Sequence, residues 1–463
     1  MTDDQSRKEA FMSHCWPFHF LFHRRRLCAL AFALWALTLA LPLQAQGESG
    51  PPADDLGFFR GSHAGLKLRS YNDYLNMKGQ PERSASVLGA RPWISSGWTP
   101  GPIGFAASAS LFSALTLAAD KHAGNMAHAG SPDSWKQRGW AYIGQWDVQA
   151  RAKESLLKYG LLLPEADAHY LVPHDNRALP PTFRGGSFVS EDIPGLKLTA
   201  GSVDRVVPRG QDRLQRLTTE YTRAPVSRFS YVGGTYQAGK DTQFTVSANQ
   251  ARDVWNRFYV SAEHSIGTPE DLQWTGRVDY YHTQDTGQAR GGDIRNDAYS
   301  LALIARHRAH AVTLAFQQIL SDQFFDYLGE TADIRLANSM DVDYNAPHER
   351  SIQLRYAIDM RDYGAPGLNI TLWGVKGWGA DASNAAYRMS PGTPGRDLYW
   401  SNGEPVHGPH YEVGVIPAYT VQSSSLKGST VALSVMHHVG SAHYSDATSD
   451  SVRLMINVPV EFF

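Results

Sequence analysis

The sequence predicts an all-β chain closed into a transmembrane antiparallel β-barrel of about 18 strands. Three observations predict it. Apolar and polar residues alternate in one segment after another from Leu56 to the end of the chain. Short turns alternate with long connections rich in Gly, Pro and Ser, the habit of barrels whose long loops face outside. Beyond the N-terminal segment no apolar run is long enough for a membrane helix, although 42% of the residues are hydrophobic and 11% aromatic.

Composition already bounds the function. A chain of 463 residues is not limited by core size, and a net charge of -2 gives no electrostatic reason to expect nucleic acid as a partner. Cys15 and Cys28 both lie in the N-terminal segment, so neither disulfides nor cysteine-bound metal are expected to hold the rest of the chain. A negative mean hydropathy also fits a secreted soluble β protein, which a strand count this high argues against, because a sandwich needs fewer strands or two domains.

Residues 1–45 read as a leader. Arg24-Arg25-Arg26 is the basic n-region, 27–41 is apolar, and Leu43-Gln44-Ala45 ends on a small residue, so cleavage after Ala45 is expected. The n-region is long, which leaves Met12 as an alternative start and an uncleaved anchor as an alternative fate. Residues 46–463 then form one barrel domain, opening on a polar, Pro-rich stretch.

The first barrel segment places Ala64, Leu66 and Leu68 on one face and Lys67, Arg69 and Tyr71 on the other. Segments 87–98 and 103–115 follow around the turn Pro100-Gly101-Pro102, then a loop over 116–139, then a strand over 140–153. From Pro164 to Pro181 four prolines exclude a helix or an inner strand, while Leu171, Tyr170 and Phe183 argue against a floppy linker; long structureless segments of this kind are usually functional. Strands are expected over 214–222, 228–237, 243–249, 258–264, 272–282, 299–306, 312–320, 352–360, 368–376, 411–422, 430–438 and 452–462. In one of these Leu272, Trp274, Val278 and Tyr280 form an apolar face and Gln273, Thr275, Arg277 and Asp279 a polar one. Tyr71, Trp98, Trp140, Tyr231, Trp255, Tyr280, Tyr281, Trp373 and Trp378 are expected to form girdles at the membrane interfaces.

The ordered text resembles the OprD-type substrate-specific porins of Gram-negative bacteria. The resemblance is carried by Gly57-Phe58-Phe59, Leu66-Lys67-Leu68-Arg69-Ser70-Tyr71, Lys158-Tyr159-Gly160, Asp175-Asn176-Arg177-Ala178-Leu179-Pro180-Pro181-Thr182-Phe183 and Pro194-Gly195-Leu196-Lys197-Leu198-Thr199-Ala200-Gly201. It continues through Phe325-Asp326-Tyr327, Leu336-Ala337-Asn338-Ser339, Tyr363-Gly364-Ala365-Pro366-Gly367-Leu368 and Tyr419-Thr420-Val421-Gln422-Ser423. It implies a monomer in the outer membrane, in contact with outer-membrane lipids, whose Pro-rich constriction loop folds inward. It further implies passive diffusion of small solutes, either carboxylates or basic amino acids, guided by a ladder of Arg and Lys against acidic loop residues. On that basis the candidate solute-binding residues are Arg69, Arg151, Lys153, Arg177 and Lys197, with Asp175, Asp326, Glu330 and Asp333 opposite them. The places where the family carries further basic rungs hold Ala418, Ala432 and Ser434 here, which softens the expected anion preference and leaves neutral small oligosaccharides as an alternative solute class. The last segment alternates through Leu454, Ile456, Val458, Val460 and Phe462 and ends at Phe463, resembling the signal read by barrel-assembly machinery.

Other chemistries have thinner support. His407-Gly-Pro-His410 and His437-His438 with His443 lack any cysteine, and the first pair lies in a Gly/Pro loop, so no metal is expected. Ser434 and His438 share a strand face without a nucleophile motif, so no enzyme is expected. No phosphate-cradling or dinucleotide fingerprint stands between a strand and a helix, and no cofactor is expected.

Overall fold

The computed structural model describes residues 57–130, 133–164, 171–391 and 395–462. The leader, its cleavage point, both cysteines and Phe463 lie outside the described residues. Eighteen long strands make the barrel. They are β1 His63–Met77, β2 Arg83–Ser95, β3 Gly104–Ala119, β4 Gly139–Ala152, β5 Ser155–Leu162 and β6 Thr182–Ile193. Next come β7 Leu196–Val207, β8 Phe229–Ala238, β9 Thr242–Ala251, β10 Trp255–Ile266, β11 Gln273–Asp285 and β12 Arg295–His307. The last six are β13 His310–Ile319, β14 Arg350–Asp359, β15 Leu368–Asp381, β16 His407–Thr420, β17 Thr430–Gly440 and β18 Ser449–Glu461. Each pairs antiparallel with its neighbour in sequence, and β18 returns to β1 from Gly65↔Glu461 to Met77↔Ser449. Closure matters because a bilayer offers no water to an unpaired strand edge.

Alternation assigns the two faces. Ile143, Val148, Val246 and Leu354 are 64%, 56%, 62% and 60% exposed and form part of the outward apolar band. Residues of opposite parity, such as Asp147, Thr245 and Gln353, are buried on the inward face. Connections 153–154, 194–195, 239–241 and 308–309 are short and lie at one rim, together with the start of β1 and the end of β18. The long connections 120–138, 163–181, 208–228, 320–349 and 382–406 lie at the other rim, which by that asymmetry faces outside the cell.

Two expectations need correction. Residues 214–222 are not a barrel strand. They contain only Gln215–Thr218, four residues that pair briefly with β7 and with Pro225–Val226 inside the long connection to β8. Their alternation comes from packing Leu217 under the loops of the mouth, not from the bilayer. The girdle is also wrong for six of its nine residues. Tyr71, Trp140, Tyr231, Trp255, Tyr281 and Trp373 are at most 9% exposed and point inward, where they support the inner loops. Strand parity, not nearness to a strand end, decides which aromatic meets lipid; Trp146, Phe244 and Trp274 are among those that face it.

Candidate functional site inside the barrel

The segment 171–181 leaves β5 and packs along the inner wall. Ala178 and Leu179 join Tyr71 of β1, Val87 of β2 and Phe112 of β3 in one apolar cluster. A Cβ at Gly89 would collide with the Ala178 carbonyl oxygen, so glycine permits the close approach. The connection 320–349 runs along another part of the wall, with Phe325 against Tyr259 and Tyr281, and Tyr344 against Trp373 and Met436. The two segments meet where Pro173 bridges Thr331 and the His174 backbone N–H donates to the Glu330 carbonyl at 3.0 Å.

Charged side chains gather around that meeting. Arg69 donates through both terminal nitrogens to Asp175, one of these at 2.9 Å, and donates to the Arg177 carbonyl at 2.8 Å. Bidentate pairing of this kind fixes orientation as well as charge. Lys67 and Arg91 lie on the same inward faces of β1 and β2 and within electrostatic reach of Asp175. Arg177 stands 3.7 Å from Asp73 and donates to Asn125 at 3.2 Å. Arg453 donates to Asp73 at 3.2 Å and lies 3.9 Å from Asp341. Arg209 donates to Glu330 at 2.7 Å and to Asn176 at 2.8 Å. Burial, with Arg209 and Arg177 next in importance, pushes the His174 imidazole down to about 2, so it stays neutral here. A cavity of about 210 Å³ beside these groups is lined by Lys67, Arg91, Trp93, Phe112 and Gln145.

Of the nine residues named from the sequence, Arg69, Asp175, Arg177 and Glu330 come together here. Asp326 and Asp333 share the second inner segment but turn into its packing. The Asp326 carboxylate accepts from the backbone of Tyr221, Thr222 and Tyr327 at 2.8, 3.0 and 2.8 Å, and from the Thr222 hydroxyl at 2.7 Å. Asp333 is 5% exposed, and burial pushes its carboxyl up to about 7. Arg151 and Lys197 do face inward, but near the short-turn rim. The Arg151 guanidinium lies 4.3 Å above the Trp98 ring, and Lys197 stands 3.9 Å from Glu191. Lys153 is a correction: it occupies the two-residue turn after β4 with φ 52° and is exposed, because alternation stops where the strand does. Ala418, Ala432 and Ser434 take inward positions on β16 and β17, Ser434 directly beside Arg453.

Sequence reasoning missed Lys67, Asp73, Arg91, Arg209, Asp341 and Arg453 as members of this group. The same two-residue period that selects Arg69 also selects Lys67 and Asp73, and Val87-x-Gly89-x-Arg91 selects Arg91. Arg209 and Asp341 sit in connections, where no period points to them.

Known proteins share this fold. Residues 56–462 match the model of the family described as outer membrane porin, OprD family. Porin D of Pseudomonas aeruginosa is 28% identical over 427 residues, covering 88% of this chain and 93% of that protein. The crystal structure of P. aeruginosa OccD3 (OpdP) is similar with a TM-score of 0.77 at 33% identity, covering 92% of this chain and 96% of that one. P. aeruginosa OpdK, solved with vanillate, has a TM-score of 0.76 at 25% identity, covering 88% and 100%. With a closed barrel of eighteen strands, charged groups gathered on its inner wall and a family match across nearly all the described residues, this chain belongs to the OprD family of outer membrane porins.

Proposed function

We propose that this porin is a monomeric passive channel for small carboxylate-bearing solutes, basic amino acids among them, and that segment 171–181 narrows its pore. The observation that carries the reading is the set Lys67, Arg69 and Arg91 around the one loop carboxylate of Asp175. Three cations against one acid leave attraction for a further carboxylate, and it acts in a confined space where screening by water is reduced. The cavity beside Lys67 and Arg91 offers an aromatic wall at Phe112 and a polar one at Gln145, which suits a small acid with an apolar body. OpdK, solved with vanillate, lends support from a relative. On this reading Arg69, Arg177 and Asp175 set the narrow zone. Glu330, Asp326 and Asp333 hold the second inner segment in place, and Arg151, Lys153 and Lys197 act only as charges near the short-turn rim.

A second reading, a channel for neutral small oligosaccharides, is favoured by one observation: the small uncharged inward residues Ala418, Ala432 and Ser434. Single-channel conductance in planar bilayers separates the two. Benzoate and arginine should interrupt the current, and in Lys67→Gln with Arg91→Gln the benzoate needed for half-block should rise ~10-fold, about 1.4 kcal/mol. Interruption by a short neutral sugar alone would overturn the carboxylate reading in favour of the second.

A further inference from the structure

The long-loop rim holds a second constellation that solute passage does not use. A short hairpin, Trp400–Ser401 paired with Glu404–Pro405, turns through Asn402 and Gly403 at φ 50° and 83°. Positive φ at both central residues is what an Asn-Gly hairpin turn requires. The hairpin lies against the 441–448 connection between β17 and β18. Ser401 Oγ donates to the Tyr444 carbonyl at 3.0 Å, and Asn402 donates to the Ala442 carbonyl. The His407 backbone N–H, at the start of β16, donates to the His443 carbonyl at 3.0 Å. This brings His407 and His443 ring to ring, with centroids 4.9 Å apart.

The alternation that buries His410 leaves His407 for a different partner. His410 is fully buried and bonds Glu349 at 2.6 Å and His438 at 2.9 Å. His407 instead meets His443 and Glu404, and the donor atoms of these three all lie within 4.8 Å of one another. Both imidazoles have their tautomer set. His407 Nδ1 contacts the Pro405 carbonyl at 2.7 Å and His443 Nδ1 contacts the Ser401 carbonyl at 3.3 Å. A carbonyl can only accept, so each ring carries its proton on Nδ1 and presents the Nε2 lone pair. Histidines that bind metal are oriented in this way, by a carbonyl on the other ring nitrogen.

We propose that Glu404, His407 and His443 form a site for a divalent transition metal of the zinc class, which clips the 400–405 hairpin to the 441–448 connection at the outer mouth. Two imidazoles and one carboxylate suit zinc and leave a fourth position for water. A tetrahedral ion with bonds of about 2.0–2.1 Å holds its donors roughly 3.4 Å apart, which torsion of the Glu404 and histidine side chains can reach. Magnesium, which prefers oxygen donors, would not compete.

The test is calorimetric titration of the refolded full barrel in detergent, without a polyhistidine tag, using zinc chloride alone. Each variant is first checked for a folded barrel by its different gel mobility before and after boiling. Near pH 7 one saturable zinc per chain is expected, unaffected by excess magnesium. His407→Ala and His443→Ala should each weaken it by about tenfold or more, and His437→Ala should not. Equal zinc uptake by a folded His407→Ala/His443→Ala double variant would overturn the proposal, as would the absence of saturable binding to the wild-type barrel.

Discussion

Asp326 and Asp333 lie on the same inner connection and have opposite surroundings. Four hydrogen bonds end on the Asp326 carboxylate, so its charge fastens Tyr221 and Thr222 to the second inner segment. Asp333 has a buried Oδ1 with no hydrogen-bond partner among the described residues, and burial outweighs the opposing effect of the Arg335 and Arg257 charges. Their shared acidic character was legible in the sequence; which of the two would be satisfied was not, because three of the four donors come from Tyr221 and Thr222, 105 and 104 positions away. The consequence for Asp333 is a pH dependence of definite sign. In the unfolded chain it ionises at its ordinary 3.8 and in the fold at about 7, so between those values the fold holds a proton that the unfolded chain has lost. Stability from this site is therefore full below about pH 4 and falls as pH rises toward about 7, by about 1.4 kcal/mol per unit of difference. Asp333→Asn stays neutral throughout. Protease protection of the 320–349 connection should match the wild type near pH 4 and exceed it by tenfold or more near pH 8. Parallel pH profiles for the two proteins would reject this account.

At the scale of elements, what the bilayer imposes is legible and what the loops impose on one another is not. A strand with lipid on one side must alternate, so β11 can be read from Trp274, Val278 and Tyr280 alone. The path of segment 171–181 cannot be read that way. Its anchor, Arg69 to Asp175, joins residues 106 apart in the chain, and its seat on β2 depends on the lack of a side chain at Gly89. The same seat makes the segment separable from the barrel. Gly89→Val adds atoms where the Ala178 carbonyl lies, while the β1–β2 and β2–β3 backbone ladders keep their partners. The variant should still form a heat-modifiable barrel, yet show faster cleavage within 171–181 and a larger single-channel conductance. Faster cleavage with an unchanged conductance would mean that the segment lines the wall without narrowing the pore.

Over the whole molecule, a net charge of -2 conceals an uneven interior. Around the meeting of the inner segments stand the cations Lys67, Arg69, Arg91, Arg177, Arg209 and Arg453, with the acids Asp73, Asp175, Glu330 and Asp341 beside them and Glu220 and Asp343 within electrostatic reach; the local surplus is that of Lys67, Arg69 and Arg91 around Asp175. Fields of this kind act on permeating ions before any contact forms, and salt screens them over about 10 Å at 0.1 M but only about 3 Å at 1 M. Reversal potentials across a potassium chloride gradient should therefore report a preference for chloride that is clear in dilute salt and small in concentrated salt. Acidification should strengthen it. Burial holds the Asp341 carboxyl above its ordinary range, so this acid takes up a proton earlier on acidification than an exposed aspartate does. Neutralising this acid adds to the positive surplus, and the chloride preference should grow on acidification. Asp341→Asn fixes the neutral form, and its selectivity should change less on acidification than that of the wild type. A preference for potassium in dilute salt, or one for chloride that weakens on acidification, would show that this cluster does not set the field of the pore.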